Sequence, residues 1–451
     1  MSKKIYTLHT KKHLSENEIM VHPAIFNDQV PTFVQLHIAS WNKELSIVKS
    51  PNENTVGISH TLANSIGLYD GAHVKIYYQP STESLHIGPL LAVTLTINLN
   101  NPEVRDEGNL SSFCKEIATQ MQQQGGIVYF ITPTDIYKRD ETCMTGWRYT
   151  NTWKKQKFIT PKLIYNRIGS RKQESRLSVQ HFFKEVKSYP DGFIFNEKFM
   201  NKSKSTAMLL ENEEIRKFIP ETMQYKKLST LQYMCGKYTT VFVKPVYGSM
   251  GKGIIRIQKL QNGSYTMEET QPSKVMKKKY KTLSSLHAFI AKKIRSTSFQ
   301  IQQGITLTHI QNNALDYRVQ AQKDGKGEWC IASIVARISP RGQIVSNLAR
   351  GGQMIPFKKS LTQSNLPNAH IRATQTKIKR AAILIAQSID DQTEDHFAEF
   401  GIDLGIDKKG NVWLIEVNTK PSKKRNIPFH KNKIRPSVKK MIEYVHYLFE
   451  E

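Results

Sequence analysis

The stretch that most constrains the fold is Val241-Phe242-Val243-Lys244-Pro245-Val246-Tyr247-Gly248-Ser249-Met250-Gly251-Lys252-Gly253-Ile254-Ile255-Arg256-Ile257. Two runs of β-branched and aromatic residues flank a loop with three glycines, which reads as strand, tight loop, strand. Glycines at 248, 251 and 253 let the backbone approach a ligand closely, and a row of inward N–H groups makes a nest suited to phosphate. Lys244 and Lys252 place positive charge on both sides of that nest. The pattern is neither G-x-x-x-x-G-K-[ST] nor a strand-to-helix G-x-G-x-x-G. A phosphate here would therefore lie under a β-hairpin flap and not on a helix N-terminus. An ordinary glycine-rich hairpin reads the same way, so the stretch needs partners elsewhere in the chain.

At 451 residues the chain exceeds what one compact core accommodates, and three domains are expected. Residues 1–88 alternate in short strands around a single helix near Ser59 to Leu68, which suggests a small β-barrel or sandwich without a catalytic grouping. Residues 89–198 alternate strand and helix, the pattern of a mostly parallel sheet. Residues 199–451 hold the hairpin, a strand pair at Asp316 to Ala321 and Trp329 to Arg337, a helix from Ile371 to Ile389, and a basic tail ending in an amphipathic helix. The formal charge of +27 points to anionic partners. Cys114, Cys143, Cys235 and Cys330 are widely spaced with no C-x-x-C pair, which argues against a disulfide or metal framework and for a reducing compartment. No signal-peptide core and no run of roughly 18 apolar residues is found, so the expectation is a soluble chain, cytoplasmic where it is made. The run Val275-Met276-Lys277-Lys278-Lys279-Tyr280-Lys281 reads as a solvated face or a polyanion contact.

The partners appear near the C-terminus. Phe400 to Asp407 and Val412 to Asn418, joined by Lys408-Lys409-Gly410-Asn411, read as an antiparallel hairpin. Glu416 and Asn418 are two apart and share a sheet face, and Asp403 can sit opposite them. Two carboxylates and an amide oxygen form a hard-oxygen set that suits Mg²⁺, with phosphate and water completing the shell. A pair of solvated strand carboxylates is the alternative.

Strand-Lys-Pro-glycine loop-strand, then an Asp strand and a Glu-x-Asn strand, resembles the ATP-grasp fold of carboxylate–amine ligases. Ala336-Arg337-Ile338 followed by Ser346-Asn347-Leu348-Ala349-Arg350-Gly351-Gly352 is similar to the corresponding stretch of bacterial glutathione synthetases and ribosomal-protein glutamate ligases. The whole chain resembles the YheC/YheD family of spore-coat-associated ATP-grasp proteins of endospore-forming bacteria. The fold class implied is a multidomain α+β and α/β chain, an ATP-grasp fold preceded by a small β-rich domain and a Rossmann-like pre-ATP-grasp domain. The resemblance implies that Lys202 and Lys244 contact the nucleotide. The backbone of Gly248, Ser249, Met250, Gly251, Lys252 and Gly253 would cover its phosphates, and Gln302, Gln303, Gly304 and Ile305 would line its adenine. It further implies that Arg318 and Arg337 face the triphosphate or an acyl phosphate. Asp403, Glu416 and Asn418 would hold two Mg²⁺ ions, and Asn347 and Arg350 would lie where metal, phosphate and substrate carboxylate meet. Residues 199–451 would then clasp Mg-ATP between two halves.

Three features depart from that pattern. Gln302-Gln303 stand where many members carry a carboxylate able to bond the ribose. Thr419-Lys420-Pro421-Ser422 lacks the glycine that many place after this proline, in a loop that often helps bind the acceptor. The basic run at 277–281 and the basic tail have no counterpart. Two functional readings follow: an ATP- and Mg²⁺-dependent ligase joining carboxylate and amine substrates, on a peptide or coat polymer, or a non-catalytic spore-coat protein that retains nucleotide binding and holds an anionic polymer or coat protein. Deposition on the forespore or spore coat is implied in both. Nucleic-acid binding is disfavoured, because no recognition motif interleaves aromatics with the basic charge.

Overall fold

The computed structural model describes residues 4–97, 99–101, 109–246, 253–271, 275–294, 298–340, 352–423 and 434–450. The front of the chain closes into a seven-stranded barrel in the order Ile5–Lys11, Thr55–Ser59, Glu18–Val21, Trp41–Lys49, Phe33–Ile38, Ser84–Gly88, His73–Gln79. Alternation along these strands sends Leu8, Ile19, Leu36, Leu45, Val56, Val74 and Leu85 into its core. The single α-helix of the barrel, His60–Ile66, starts where the Ser59 hydroxyl accepts the Leu62 N–H at 3.1 Å and stops at Gly67 in the left-handed region, φ 75°.

The middle sheet runs Trp153–Ile159, Cys143–Tyr149, Ile127–Ile131, Leu90–Thr94, Leu163–Asn166, Phe193–Phe195. The last four pair in parallel, as the strand–helix alternation implies, but the first two form an antiparallel hairpin on one edge. The sheet is therefore mixed. In the outer strand, Trp153–Ile159, Lys154, Lys155 and Lys157 are exposed and only Phe158 and Ile159 are buried, so no alternation marks it in the sequence. Ala92, Tyr129 and Ile164 face the helix Leu177–Ser188 on one side. On the other, Leu91, Val93 and Phe130 meet the helix Asn109–Gln123 and the closing helix Pro436–Glu450.

A third sheet, fully antiparallel, is ordered Thr222–Tyr225, Phe299–Gln303, Thr240–Pro245, Ile255–Lys259, Tyr265–Thr270, Val275–Tyr280. Val241, Val243, Ile255 and Ile301 pack under the helices Leu228–Lys237 and Leu283–Ile294. The basic run is the edge strand of this sheet. Lys277 pairs with Glu268 at 2.9 Å and Lys278 lies 4.8 Å from the Phe289 ring centre, so the lysines blunt an edge that would otherwise template further strands.

The fourth sheet is ordered Gln353–Pro356, Trp329–Ile338, Asn313–Lys323, Glu399–Ile406, Val412–Asn418. Tyr317, Val319, Phe400, Ile402 and Leu404 bury against Ile378, Ala382, Ile385 and Ile389 of the helix Asn368–Asp391. Residues 304–308 link the third sheet to the fourth, anchored by Gly304 N–H on Thr240 O at 2.9 Å and Thr308 N–H on Ile406 O at 2.7 Å. Among the described residues no helix is long and apolar enough to cross a membrane.

Candidate nucleotide and metal site

With the apolar residues of the fourth sheet turned to its helix, the period of two turns Asp316, Arg318, Gln320, Arg337, Glu399 and Asp403 to the opposite face. Cross-strand pairing sets Asp403 opposite Glu416 and Gly401 opposite Asn418. A bulge after Asp403 absorbs one extra residue in the partner strand and leaves both acids on this polar face. The three expected metal ligands thus occupy neighbouring pairs of one hairpin. Their two carboxylates and amide oxygen are hard donors of the kind Mg²⁺ takes, so the residues fit the ion.

Asp403 is buried and doubly held. Its carboxylate accepts Arg318 Nε on one oxygen, and on the other Arg318 Nη2 at 3.0 Å and Arg337 Nη2 at 3.1 Å. Arg337 reaches across to Asp316 Oδ1 at 2.5 Å. Burial opposes the charged form of Asp403, but Arg318 and then Arg337 outweigh it and hold the carboxyl below its usual range. Gly401 makes this possible. A Cβ there would come within 2.7 Å of Pro421 Cβ and 3.3 Å of Arg318 Nη1.

On the third sheet the face away from the core carries Phe242 and Lys244. Lys244 Nζ donates to Gln302 Oε1 at 2.5 Å, and Gln302 Nε2 donates to Thr222 Oγ1 at 2.9 Å, so the side chain of Gln302 is fixed at both ends. Gln303 accepts the Glu221 N–H at 3.2 Å, and Gly304 and Ile305 begin the link to the fourth sheet. Gly253 sits at φ 68° with its N–H on Thr270 O at 3.2 Å. Lys202 opens the helix Lys202–Glu211. Gly248, Ser249, Met250, Gly251, Lys252, Asn347 and Arg350 lie outside the described residues. The structure therefore brings Arg318, Arg337, Asp403, Glu416 and Asn418 together on one face and Lys244 with Gln302 on another.

Sequence reasoning missed the buried charges beside this face. Glu399 takes Arg167 Nη1 at 3.0 Å, Tyr165 Oη at 2.5 Å, Gln320 Nε2 at 2.7 Å and Lys423 Nζ at 2.5 Å. Lys420 pairs with Glu174. The loop after Asn418 is thereby bound to the middle sheet, and Thr419 O and Pro421 O accept from Asn196 and Arg167. Burial pulls both lysines down to about 8 against the pull of their carboxylates. Lys420 and Lys423 are therefore buried structural charges and not part of a solvated tail. Residues 424–433 of that tail lie outside the described residues. Arg435 likewise approaches Glu116, at 3.3 Å. The sequence held a signal for Glu399, an acid spaced i, i+4 from Asp403 in an otherwise apolar strand.

A family model described as YheC/D-like ATP-grasp matches residues 192–448. The chain is 28% identical over 407 residues to the endospore coat-associated protein YheD of Bacillus subtilis, with 88% of this chain and 87% of that protein covered. It is 21% identical over 283 residues to the endospore coat-associated protein YheC of the same organism, covering 61% and 74%. Among solved structures, D-alanyl-alanine synthetase A from Vibrio cholerae aligns at 12% identity and a TM-score of 0.46 over 81% of this chain and 99% of that one. A D-alanine–D-alanine ligase from Bacillus anthracis complexed with ATP aligns at 12% identity and 0.43 over 80% and 97%. These structural likenesses are too distant to carry residue roles. The family match covers more than half of the sequence, and the chain belongs to the YheC/D-like ATP-grasp family.

Proposed function

We propose that the chain is an ATP- and Mg²⁺-dependent carboxylate–amine ligase that works through an acyl phosphate and serves the spore coat. The observation that carries this reading is the clustering of Asp403, Glu416 and Asn418 with Arg318 and Arg337 on one sheet face. Asp403, Glu416 and Asn418 would hold Mg²⁺, which supplies countercharge to a triphosphate when bound. Lys244 and Lys202 would grip the nucleotide, 248–253 would close over its phosphates, and Gln302 to Ile305 would line the base. A substrate carboxylate oxygen attacks the γ-phosphorus and ADP leaves. An amine nitrogen then attacks the acyl carbon, phosphate departs, and the amine proton passes to solvent. Arg318 and Arg337 spread the anionic charge that gathers where carboxylate meets triphosphate, and Asn347 and Arg350 orient the carboxylate. No covalent nucleophile from the protein is needed, which suits a site built of Arg, Lys and carboxylates. Exclusion of water protects the acyl phosphate, the natural task of the 248–253 flap.

A second reading, a coat protein that binds nucleotide without turnover, draws on the charge of +27 and on the coat-associated relatives. One assay separates them. Purified protein with Mg-ATP and pools of amino acids or peptides is followed for ADP release. Substrate-dependent ADP that disappears in Glu416→Gln supports the ligase. ATP binding without turnover in every pool supports the scaffold, and no ATP binding removes the ligase reading.

A further inference from the structure

The third sheet ends in an edge strand that the proposed reaction leaves unused. Val275–Tyr280 pairs with Tyr265–Thr270, and among the described residues no other backbone bonds its outer side. Lys277 stands opposite Glu268, Glu268 opposite Arg256, and Arg256 opposite Phe242, so this row lies on the face that carries Lys244. Lys279, two residues on, shares that face, while Met276 and Tyr280 pack toward the helices and Lys278 lies 4.8 Å from the Phe289 ring centre. The acids of the neighbouring strand are already matched. Glu268 takes Arg256 Nη2 at 2.5 Å and Lys277 Nζ at 2.9 Å, and Glu269 takes Lys293 Nζ at 2.7 Å. The Lys277 side chain stays 65% exposed despite its partner, and Lys279 is exposed with no ion-pair partner among the described residues.

We infer that this edge is a docking strand for an extended acidic segment of the polypeptide on which the chain acts. The reaction rests on the ligase reading above, and the docking stands on the edge strand itself. An open edge offers N–H and C=O groups in the alternating pattern that another strand's backbone completes. Lys277 and Lys279 project from it about 7 Å apart, the spacing of side chains at i and i+2 of a facing strand. Glu or Asp at alternate positions of that strand meets them in cross-strand pairs. The same lysines repel a basic strand and gain nothing from a neutral one, so they select by sign while they blunt indiscriminate pairing. A nucleic acid satisfies the charge but not the backbone groups. The strand also starts near the glycine loop. Val275 stands opposite Thr270, whose carbonyl accepts the Gly253 N–H at 3.2 Å. The strand of Lys244 lies three places inward, so an added strand would be about 19 Å from it at about 4.8 Å per spacing. About six extended residues span that gap, which sets the reacting group of such a substrate roughly six positions beyond its acidic stretch.

The test uses the full chain and short fluorescein-labelled peptides in anisotropy titrations. A peptide alternating Glu and Thr is expected to bind the unaltered chain. It is expected to lose at least about tenfold in affinity for the double variant Lys277→Gln, Lys279→Gln, the combined worth of two cross-strand charge pairs. Lys279→Glu, which breaks no ion pair among the described residues, is expected to weaken binding by a similar factor. A peptide alternating Glu and Pro keeps the charge without the N–H groups of the proline positions, and is expected to bind at least about tenfold more weakly than the Glu-Thr peptide. No binding of the Glu-Thr peptide, or equal binding by the variants, overturns the docking strand. Equal binding of the Glu-Pro peptide, or of a single-stranded oligonucleotide of the same charge, overturns it too. Mg-ATP binding, measured on the same preparations, is expected to be unchanged in the variants. Peptide binding without any Mg-ATP binding removes the ligase reading and leaves the docking strand, and Mg-ATP binding without peptide binding removes the docking strand alone.

Discussion

Glu399 and Arg167 stand 232 positions apart in sequence and meet in a buried ion pair 3.0 Å long, which joins the fourth sheet to the middle sheet. Lys423 shares the same carboxylate, so two cations depend on one acid. Removing that acid strands both. Glu399→Gln is expected to lower the unfolding free energy by about 3 kcal/mol or more, the usual cost of leaving a buried charge uncompensated. Urea unfolding followed by tryptophan fluorescence measures it, and a loss below about 1 kcal/mol would show that the cluster does not hold the sheets together.

Gly401 is required by contact and not by backbone conformation. Alanine there sets its Cβ 2.7 Å from Pro421 and presses on Arg318 at 3.3 Å. Gly401→Ala is expected to destabilise the chain by about 1–3 kcal/mol, the range for overpacking, and to weaken Mg-ATP binding through the displaced Arg318. Parallel thermal and nucleotide titrations check both effects. Full nucleotide affinity in a destabilised variant would separate Arg318 from the site.

Lys244 and Gln302 test the nucleotide side. Gln302→Leu removes the acceptor that orients Lys244 while Thr222 loses its donor. A loss of about tenfold in Mg-ATP affinity is expected, equivalent to about 1.4 kcal/mol for one charge-assisted hydrogen bond. Isothermal titration gives the value, and unchanged affinity would mean that Gln302 does not position Lys244.

His446 predicts acid lability. It lies buried in the closing helix with no hydrogen-bond partner for either ring nitrogen among the described residues. Burial, with Lys75 second, pushes its pKa down to about 3. The folded form stays neutral while the unfolded chain takes up a proton near pH 6.5, so stability falls as pH drops from 6.5 toward 3. At pH 4.5 the difference is about 3 kcal/mol, two units at 1.36 kcal/mol each. His86 and His396, both down to about 4, act in the same direction. His446→Leu is expected to flatten the pH dependence of the unfolding free energy below 6.5. A slope identical to that of the unaltered chain would contradict it.

Much of the fold was legible where local pattern and tertiary role coincide. The strand Val412–Asn418 matches its sequence reading to the residue, and Asp403 stands opposite Glu416 as expected, although a bulge and not the turn sets that register. The edge strands were not legible. In Val275–Tyr280 the lysines mask an alternation in which Met276 and Tyr280 pack inward, and in Trp153–Ile159 three exposed lysines precede the buried pair Phe158 and Ile159, with no alternation to read. The arginine pairing of Asp403 was invisible for another reason. Its partners come from strands 85 and 66 residues away, and no spacing rule links them. Lys420 and Lys423 read as a basic tail because their acids, Glu174 and Glu399, are supplied by other elements.

The closing helix has a consequence for biosynthesis. Val438, Ile442, Val445 and Leu448 cover Leu91 and Val93, strand residues made at the other end of the chain. At the ribosome's pace of about 5–20 residues per second, that face waits roughly 20 to 70 seconds for its cover. During this interval the nascent middle sheet displays an apolar surface that chaperones can recognise. A premature stop before Pro436 would make that exposure permanent, so truncated chains are natural substrates for proteolytic clearance even with every residue of the nucleotide site intact.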